Sequence, residues 1–326
     1  MSFLSKILEY KSFYEEIVAF DRSNIGRLLI TGNDAHDLLE RLTTNKIIDL
    51  PINNGVKTVI TTNKGRIIDV LYIYSTDKGL LVLTSKNNQN TIMSWIDYYT
   101  FGEDITIKDI SNTTAMVGVV GPKSFHFLEE FLSINVFKLN KNELTKTQLG
   151  NIDLWIIRTD SYGMLGVDIV FPIENQDFIW EKIMSTSFII EEPSESTLNT
   201  IRINEGVPLL GHELNQDYNP LEAGLIESIN FQKGCYVGQE VIARLNTYHK
   251  VKRSLVKIKW DSKTSPSQNV ILDESNKEVG NLTSISPVPS LNKYIGLGYL
   301  NKKMIGHPSL FVPLMENLAE IDIVIS

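Results

Sequence analysis

Residues 233–240 read K-G-C-Y-V-G-Q-E and hold the only cysteine of the chain between two glycines. Glycine accepts positive φ and lets other atoms approach the backbone closely, so Gly234 and Gly238 predict a tight turn that presents Cys235. A lone cysteine is also commonly a small, inert core residue, and the turn by itself leaves both readings open. The charge around it adds information. From Lys233 to Lys259 the chain carries Lys233, Arg244, Lys250, Lys252, Arg253, Lys257, Lys259 and His249 against the single acid Glu240, in a protein of formal net charge -8. Such an island sets up a local positive potential in a negative average field. Nearby cations favour thiolate over thiol, and the same cations could instead hold an anionic ligand tail. Tyr236 is expected on an aromatic ligand or in the core. Gln239 and Glu240 are read as fixing the shape of the turn.

Beyond residue 253 only short strands are predicted, at 255–260, 270–272, 279–285, 294–300, 310–312 and 321–325, with Pro266, Pro287, Pro289 and Pro308 at turns. Several short strands at this spacing imply a small closed or partly closed β-barrel. Upstream, strands and helices alternate. Residues 58–62 and 67–74 are β-branched and aromatic, and Asn63-Lys64-Gly65 between them reads as a hairpin turn. Residues 80–84, 115–120, 154–158 and 166–171 read as further strands. Ile92, Trp95, Ile96 and Tyr99 have the spacing of an amphipathic helix, and helices are also predicted at 124–132 and 174–184, with a loop at 191–194. A last helix over 195–205 stops at Gly206 with Pro208 beyond, the usual C-terminal punctuation.

At 326 residues, 42% hydrophobic and 21% charged, the chain has globular composition and room for two or three domains. No apolar run approaches the roughly 20 residues a membrane span needs. The first residues, M-S-F-L-S-K-I-L-E-Y-K-S-F, lack a secretory or transit pattern, so a cytoplasmic protein is expected. One cysteine rules out an intramolecular disulfide and fits a reducing compartment. The acidic balance disfavours extensive nucleic-acid binding, although the basic island leaves a local contact open. His36, His126, His212, His249 and His307 show no metal-ligand spacing, so no zinc or cluster site is expected within the chain, and no Walker, dinucleotide or serine-hydrolase motif is found.

The octapeptide, the preceding I-R-I-N-E-G-V-P-L-L-G-H-E-L (201–214) and N-P-L-E-A-G-L-I-E (219–227), and V-I-A-R-L-N-T-Y-H-K-V-K-R (241–253) resemble the YgfZ family of folate-binding proteins. That family is itself similar to the T-protein (aminomethyltransferase) of the glycine cleavage system. Weaker similarity runs through D-A-H-D-L-L-E-R-L-T-T-N (34–45) and the hairpin at 57–74, so the resemblance covers nearly the whole chain. It implies an α+β fold: two ferredoxin-like α+β units, about 1–112 and 113–246, and a C-terminal β-barrel over 247–326, around a central folate channel. It also implies tetrahydrofolate or a derivative as cofactor, and support of iron–sulfur cluster assembly or repair, with a link to tRNA modification. Partners would be iron–sulfur assembly proteins or client iron–sulfur enzymes, to whose clusters one thiolate could contribute.

Two positions depart from the T-protein pattern. Where that family carries adjacent acids in a G-G-x-I-D-D-L segment, this chain reads G-R-I-I-D-V-L (65–71): Asp69 is kept and Val70 replaces its neighbour. Adjacent strand residues face opposite sides, so Asp69 cannot simply stand in. It is either a site residue or a local ion-pair partner. Where R-x-E-x-G supplies a glutamate for the pterin, Arg202 and Gly206 bracket Asn204, whose amide offers one acceptor and one donor group. Arg202 and Arg244 are candidates for folate-tail carboxylates or for a domain-interface salt bridge. The first reading is a tetrahydrofolate-binding accessory protein with Cys235 as functional thiol. An aminomethyltransferase, or a scaffold that has lost folate binding, remain the alternatives.

Overall fold

The computed structural model describes residues 3–132, 139–188, 190–289 and 291–324. Period-2 patterning organises most of it into three sheets. The first has the order β3-β4-β5-β2-β6, formed by β2 (Ile25–Thr31), β3 (Gly55–Thr61), β4 (Ile67–Thr76), β5 (Gly79–Lys86) and β6 (Thr106–Asp109). On one face lie α2 (Ala35–Leu42) and α3 (Gln89–Tyr98), closing a core of Leu38, Leu39, Ile92 and Ile96 over Leu28, Leu71 and Ile73.

The second sheet has the order β11-β1-β7-β10-β9-β8. Its strands are β1 (Ile17–Asp21), β7 (Thr114–Val120), β8 (Leu144–Leu149), β9 (Ile152–Thr159), β10 (Gly166–Pro172) and β11 (Ile190–Glu191), covered by α4 (Ser124–Leu132) and α5 (Gln176–Met184). β1 therefore joins a sheet otherwise built from residues beyond 113, although it lies within the first unit read from the sequence. The uncovered faces of the two sheets meet through Tyr74, Leu81, Met116, Ile157 and Val170. Arg27, fully buried beside this seam, donates to the carbonyls of Ser23, Ile25, Ser111 and Thr114, and so ties β2 to the start of β7.

After α6 (Glu195–Glu205) and α7 (Gln239–Thr247), the last third forms one seven-stranded sheet of order β17-β16-β13-β14-β15-β12-β18. Its edges, β17 (Leu318–Glu320) and β18 (Asp322–Val324), are joined by Ile321 alone, which draws them together and nearly closes the sheet into a barrel. Its interior is Val256, Ile258, Trp260, Leu282 and Leu310 from β12 (Arg253–Asp261), β14 (Glu278–Pro287) and β16 (Leu310–Pro313). The remaining strands are β13 (Val270–Asp273) and β15 (Lys293–Asn301). The α+β fold with a C-terminal barrel-like sheet is the one expected. Helix α1 (Phe3–Glu15) packs Phe13 against Val18 and Ile201, which clasps α6 to the second sheet. No helix among the described residues is long and apolar enough to cross a membrane.

Candidate functional site

The 233–240 turn is held from both sides. Lys233 is wholly buried at its side chain, and its ammonium donates to the carbonyls of Glu40 (2.6 Å), Thr43 (2.8 Å) and Asn45 (2.6 Å). These lie at and just past the C-terminus of α2, where carbonyls lack helical partners and a cation is favoured by the helix dipole. Burial pulls this ammonium down to about 8. The Val237 amide donates to Arg41 O, and Thr61 Oγ1 donates to Val237 O. Gly238 sits at φ +86°, and a Cβ there would lie 2.6 Å from Thr62 O at the tip of the β3–β4 hairpin. Glycine is required at that point. Gly234 has open space around it, and Gln239 reaches back to its carbonyl at 3.4 Å. Between these anchors Cys235 is exposed and free. Glu240 is exposed in the first turn of α7. Tyr236 turns inward onto Ile229 and Ile242; its hydroxyl is buried without a protein partner, and burial pushes the phenol up to about 12.

The basic island is divided by the fold: Lys250, Lys252 and Arg253 share one groove, and the rest are placed elsewhere. Lys233 is used in the anchor, Arg253 lies over the Tyr218 ring at 4.9 Å, Lys257 lines a central cavity, and Arg244 and Lys259 are exposed.

Asp69 and Val70 face opposite sides of β4. Asp69 is fully buried, and its carboxylate accepts from the Val70 amide, from the amide and hydroxyl of Ser85, and from Asn88 Nδ2. Burial raises its pKa, against the lowering effect of those four hydrogen bonds. It ties β4 to β5 and to the start of α3. Val70 points the other way, into an apolar cluster with Tyr218 and Tyr299. Arg202 is buried in an ion pair with Glu213 (3.0 Å) and donates to Asn199 Oδ1, Ser284 Oγ and Val207 O. Glu213 also accepts from Thr283 and Ser284 of β14 and from the Leu209 amide. This knot joins α6 to the barrel. Asn204 donates to the Tyr14 hydroxyl of α1 and to Glu205 Oε1, and Tyr14 donates to the same carboxylate oxygen.

A cavity of about 510 Å³ opens where the three sheets meet. Lys57 and Tyr72 line it from the first sheet, Asn45 from the loop after α2, Asn142 and Asp160 from the connections beside β8 and β9, and Lys257 from the barrel. Tyr72 shares its face of β4 with Val70. The Lys57 ammonium lies 5.9 Å from the Tyr72 ring centroid, and neither Lys57 nor Lys257 has an ion pair among the described residues. Lys141, also on the wall, is paired with Asp160 at 2.8 Å. Residues 206–208 form one wall, fixed by the left-handed cap at Gly206 and by the mutual bonds of Arg202 and Val207. Arg202 thus bears on the cavity through this wall. Cys235, Asp69, Asn204, Tyr236 and Arg244 are not among its lining residues.

Sequence reasoning gave no site role to the lining residues Asn45, Lys57, Tyr72, Asn142 and Asp160, which lie far apart in the chain, whereas Lys257 belongs to the basic island. One signal was available: strand alternation places Tyr72 beside Val70, the position of the missing acid. Among the described residues no group of three or more His, Cys, Asp or Glu side chains is gathered for a metal.

Three interlocked units around a polar central cavity define the class, and the comparisons agree with it. The chain belongs to the GCVT N-terminal domain family, whose model matches residues 4–233. It is similar to the aminomethyltransferase of Caldanaerobacter subterraneus subsp. tengcongensis, 27% identical over 93% of this chain and 82% of that one. The aminomethyltransferase of Thermotoga maritima is 27% identical over 91% of this chain and 84% of its own. A chloroplastic protein of Arabidopsis thaliana is 29% identical over 90% of this chain and 67% of that one. In structure the chain matches the glycine cleavage system aminomethyltransferase T of Bartonella henselae with a TM-score of 0.86, over 98% of this chain and 88% of that one, at 18% identity.

Proposed function

We propose that this chain is a cytoplasmic, YgfZ-type protein that binds tetrahydrofolate or a derivative in the central cavity and supports assembly or repair of iron–sulfur clusters in client enzymes, with Cys235 as the functional thiol. The observation that carries the reading is the turn itself. Lys233, Val237 and Gly238 are each locked to the α2 end or the β3–β4 tip, while Cys235 between them is exposed. A fold that only needed to close this loop would not require an outward thiol at its apex. The cavity fits a folate in size and chemistry: about 510 Å³ lies within the usual range of small-molecule sites, with an aromatic face at Tyr72 and unpaired ammonium groups at Lys57 and Lys257 for an anionic tail. When bound, the folate would supply a one-carbon carrier, and this chain's residues would orient it.

The test is rescue of iron–sulfur enzyme activity in a bacterium lacking its own YgfZ-type protein, by wild type and by Cys235→Ala at matched expression. Rescue by wild type alone is expected; equal rescue by both would remove the thiol from the account.

A second reading, aminomethyl transfer to tetrahydrofolate, is favoured by the aminomethyltransferases that match over more than nine-tenths of the chain. Against it stands Val70, an apolar side chain on the β4 face that carries Tyr72, while the retained Asp69 is spent inside the sheet. Tetrahydrofolate-dependent release of ammonia from an aminomethyl donor by the purified chain, with the methylene carbon recovered on the folate, would establish this second reading.

A further inference from the structure

A second cavity, of about 830 Å³, lies between the hairpin tip, the linker from α7 to β12, and the barrel. Its lining includes Lys64, Arg66, Lys250, Lys252 and Arg253, against the carboxylates of Glu222 and Glu278, so five cations face two acids in a protein of net charge -8. The two guanidinium groups are built in. Arg66 and Arg253 both donate to Asp217 O (2.8 and 3.2 Å) and both approach the buried Glu222 carboxylate (3.6 and 3.4 Å). Arg66 makes these contacts through one terminal nitrogen, and Arg253 through Nε and one terminal nitrogen. Each keeps N–H groups with no partner among the described residues. Lys64, Lys250 and Lys252 have no ion pair there either; Lys64 comes from the hairpin tip, and Lys250 and Lys252 come from the linker.

We propose that this groove binds an oligophosphate, the chain of anionic oxygens found in a nucleoside triphosphate. Two guanidinium forks held at Glu222 suit phosphate oxygens, and three further ammonium groups from the hairpin tip and the linker suit a ligand that carries several negative charges along a chain. The cavity has the volume of a small-molecule site. The surrounding negative field limits the attraction to the groove itself, which favours a compact ligand over a nucleic-acid strand.

The full-length chain is titrated calorimetrically with tripolyphosphate, a nucleoside triphosphate, orthophosphate, citrate and a single-stranded oligonucleotide. The same series is run on the triple variants Lys64→Gln/Lys250→Gln/Lys252→Gln and Lys64→Glu/Lys250→Glu/Lys252→Glu. Tripolyphosphate and the nucleoside triphosphate are expected to bind at least tenfold more tightly than orthophosphate or citrate. Both variants should lose at least tenfold with melting temperature unchanged, and wild-type affinity should fall with added salt. Absence of saturable binding, equal binding of citrate, or oligophosphate affinity untouched in both variants would overturn the proposal. Tighter binding of the oligonucleotide than of tripolyphosphate would overturn it in favour of a nucleic-acid partner.

Discussion

The Arg202–Glu213 knot and the central cavity lie on either side of residues 206–208, and they use charge in opposite ways. In the knot a guanidinium and a carboxylate, 4% and 0% exposed at their side chains, bond each other and a shell of hydroxyls and backbone groups. In the cavity Lys57 and Lys257 carry charge with no ion-pair partner among the described residues. Buried charges are tolerated when every one is bonded, and their net contribution is to fix geometry. Unpaired cations on a concave wall contribute little to folding and are available to a ligand. Asp69 and Lys233 fall on the knot's side of this division, although both stand in the motifs that looked chemical.

The contrast predicts a graded series. Glu213→Ala strands Arg202 in the interior and should cost about 3–5 kcal/mol in denaturant unfolding; a loss under about 1 kcal/mol would mean that the knot is solvated. Gly238→Ala forces a left-handed residue against Thr62 O and should cost about 1–3 kcal/mol, whereas Gly234→Ala, with open space, should stay within about 0.5 kcal/mol. Comparative thermal melts of the two variants would show it.

Lys233 predicts a pH effect. Its folded value of about 8 lies below the ordinary 10.5, so between these values the unfolded chain binds a proton that the folded chain does not. Stability attributable to Lys233 therefore rises with pH across that window and is lower below it. Denaturant titrations at pH 8 and pH 10 should show a smaller gain in Lys233→Met than in wild type; identical gains would contradict the buried ammonium. Smallest of all, Cys235→Ser should leave the melting temperature unchanged, because the thiol is exposed and bonds nothing that holds the turn.

Much of the fold was legible in the sequence because it rests on local pattern. The β3–β4 hairpin, α4 at residues 124–132 and α6 with its Gly206 cap follow directly from apolar period and punctuation. Strands β1 and β2 were missed because β1 is five residues long and buried Arg27 interrupts the apolar run of β2. Helix α7 was missed because its polar face and charge drew the reading towards chemistry. The turn at 233–240 was legible from Gly238, whereas Gly234 has no positive φ and open space, so the conformational freedom read there is not used. The division of labour among the turn's residues was not legible, since Lys233 acts on carbonyls about 190 positions away. The cavity was hidden for the same reason: Tyr72, Asn142 and Lys257 become neighbours only after three sheets have formed.

The most direct test of the division between folding charges and ligand charges is a calorimetric titration of tetrahydrofolate into wild type and Lys57→Gln/Lys257→Gln, with melting temperatures recorded for both. Saturable binding by wild type, weakened about tenfold or more in the variant at unchanged melting temperature, is the result predicted, equivalent to about 1.4 kcal/mol or more. Equal binding by both proteins, or no binding by either, would contradict the assignment of the central cavity as the ligand site.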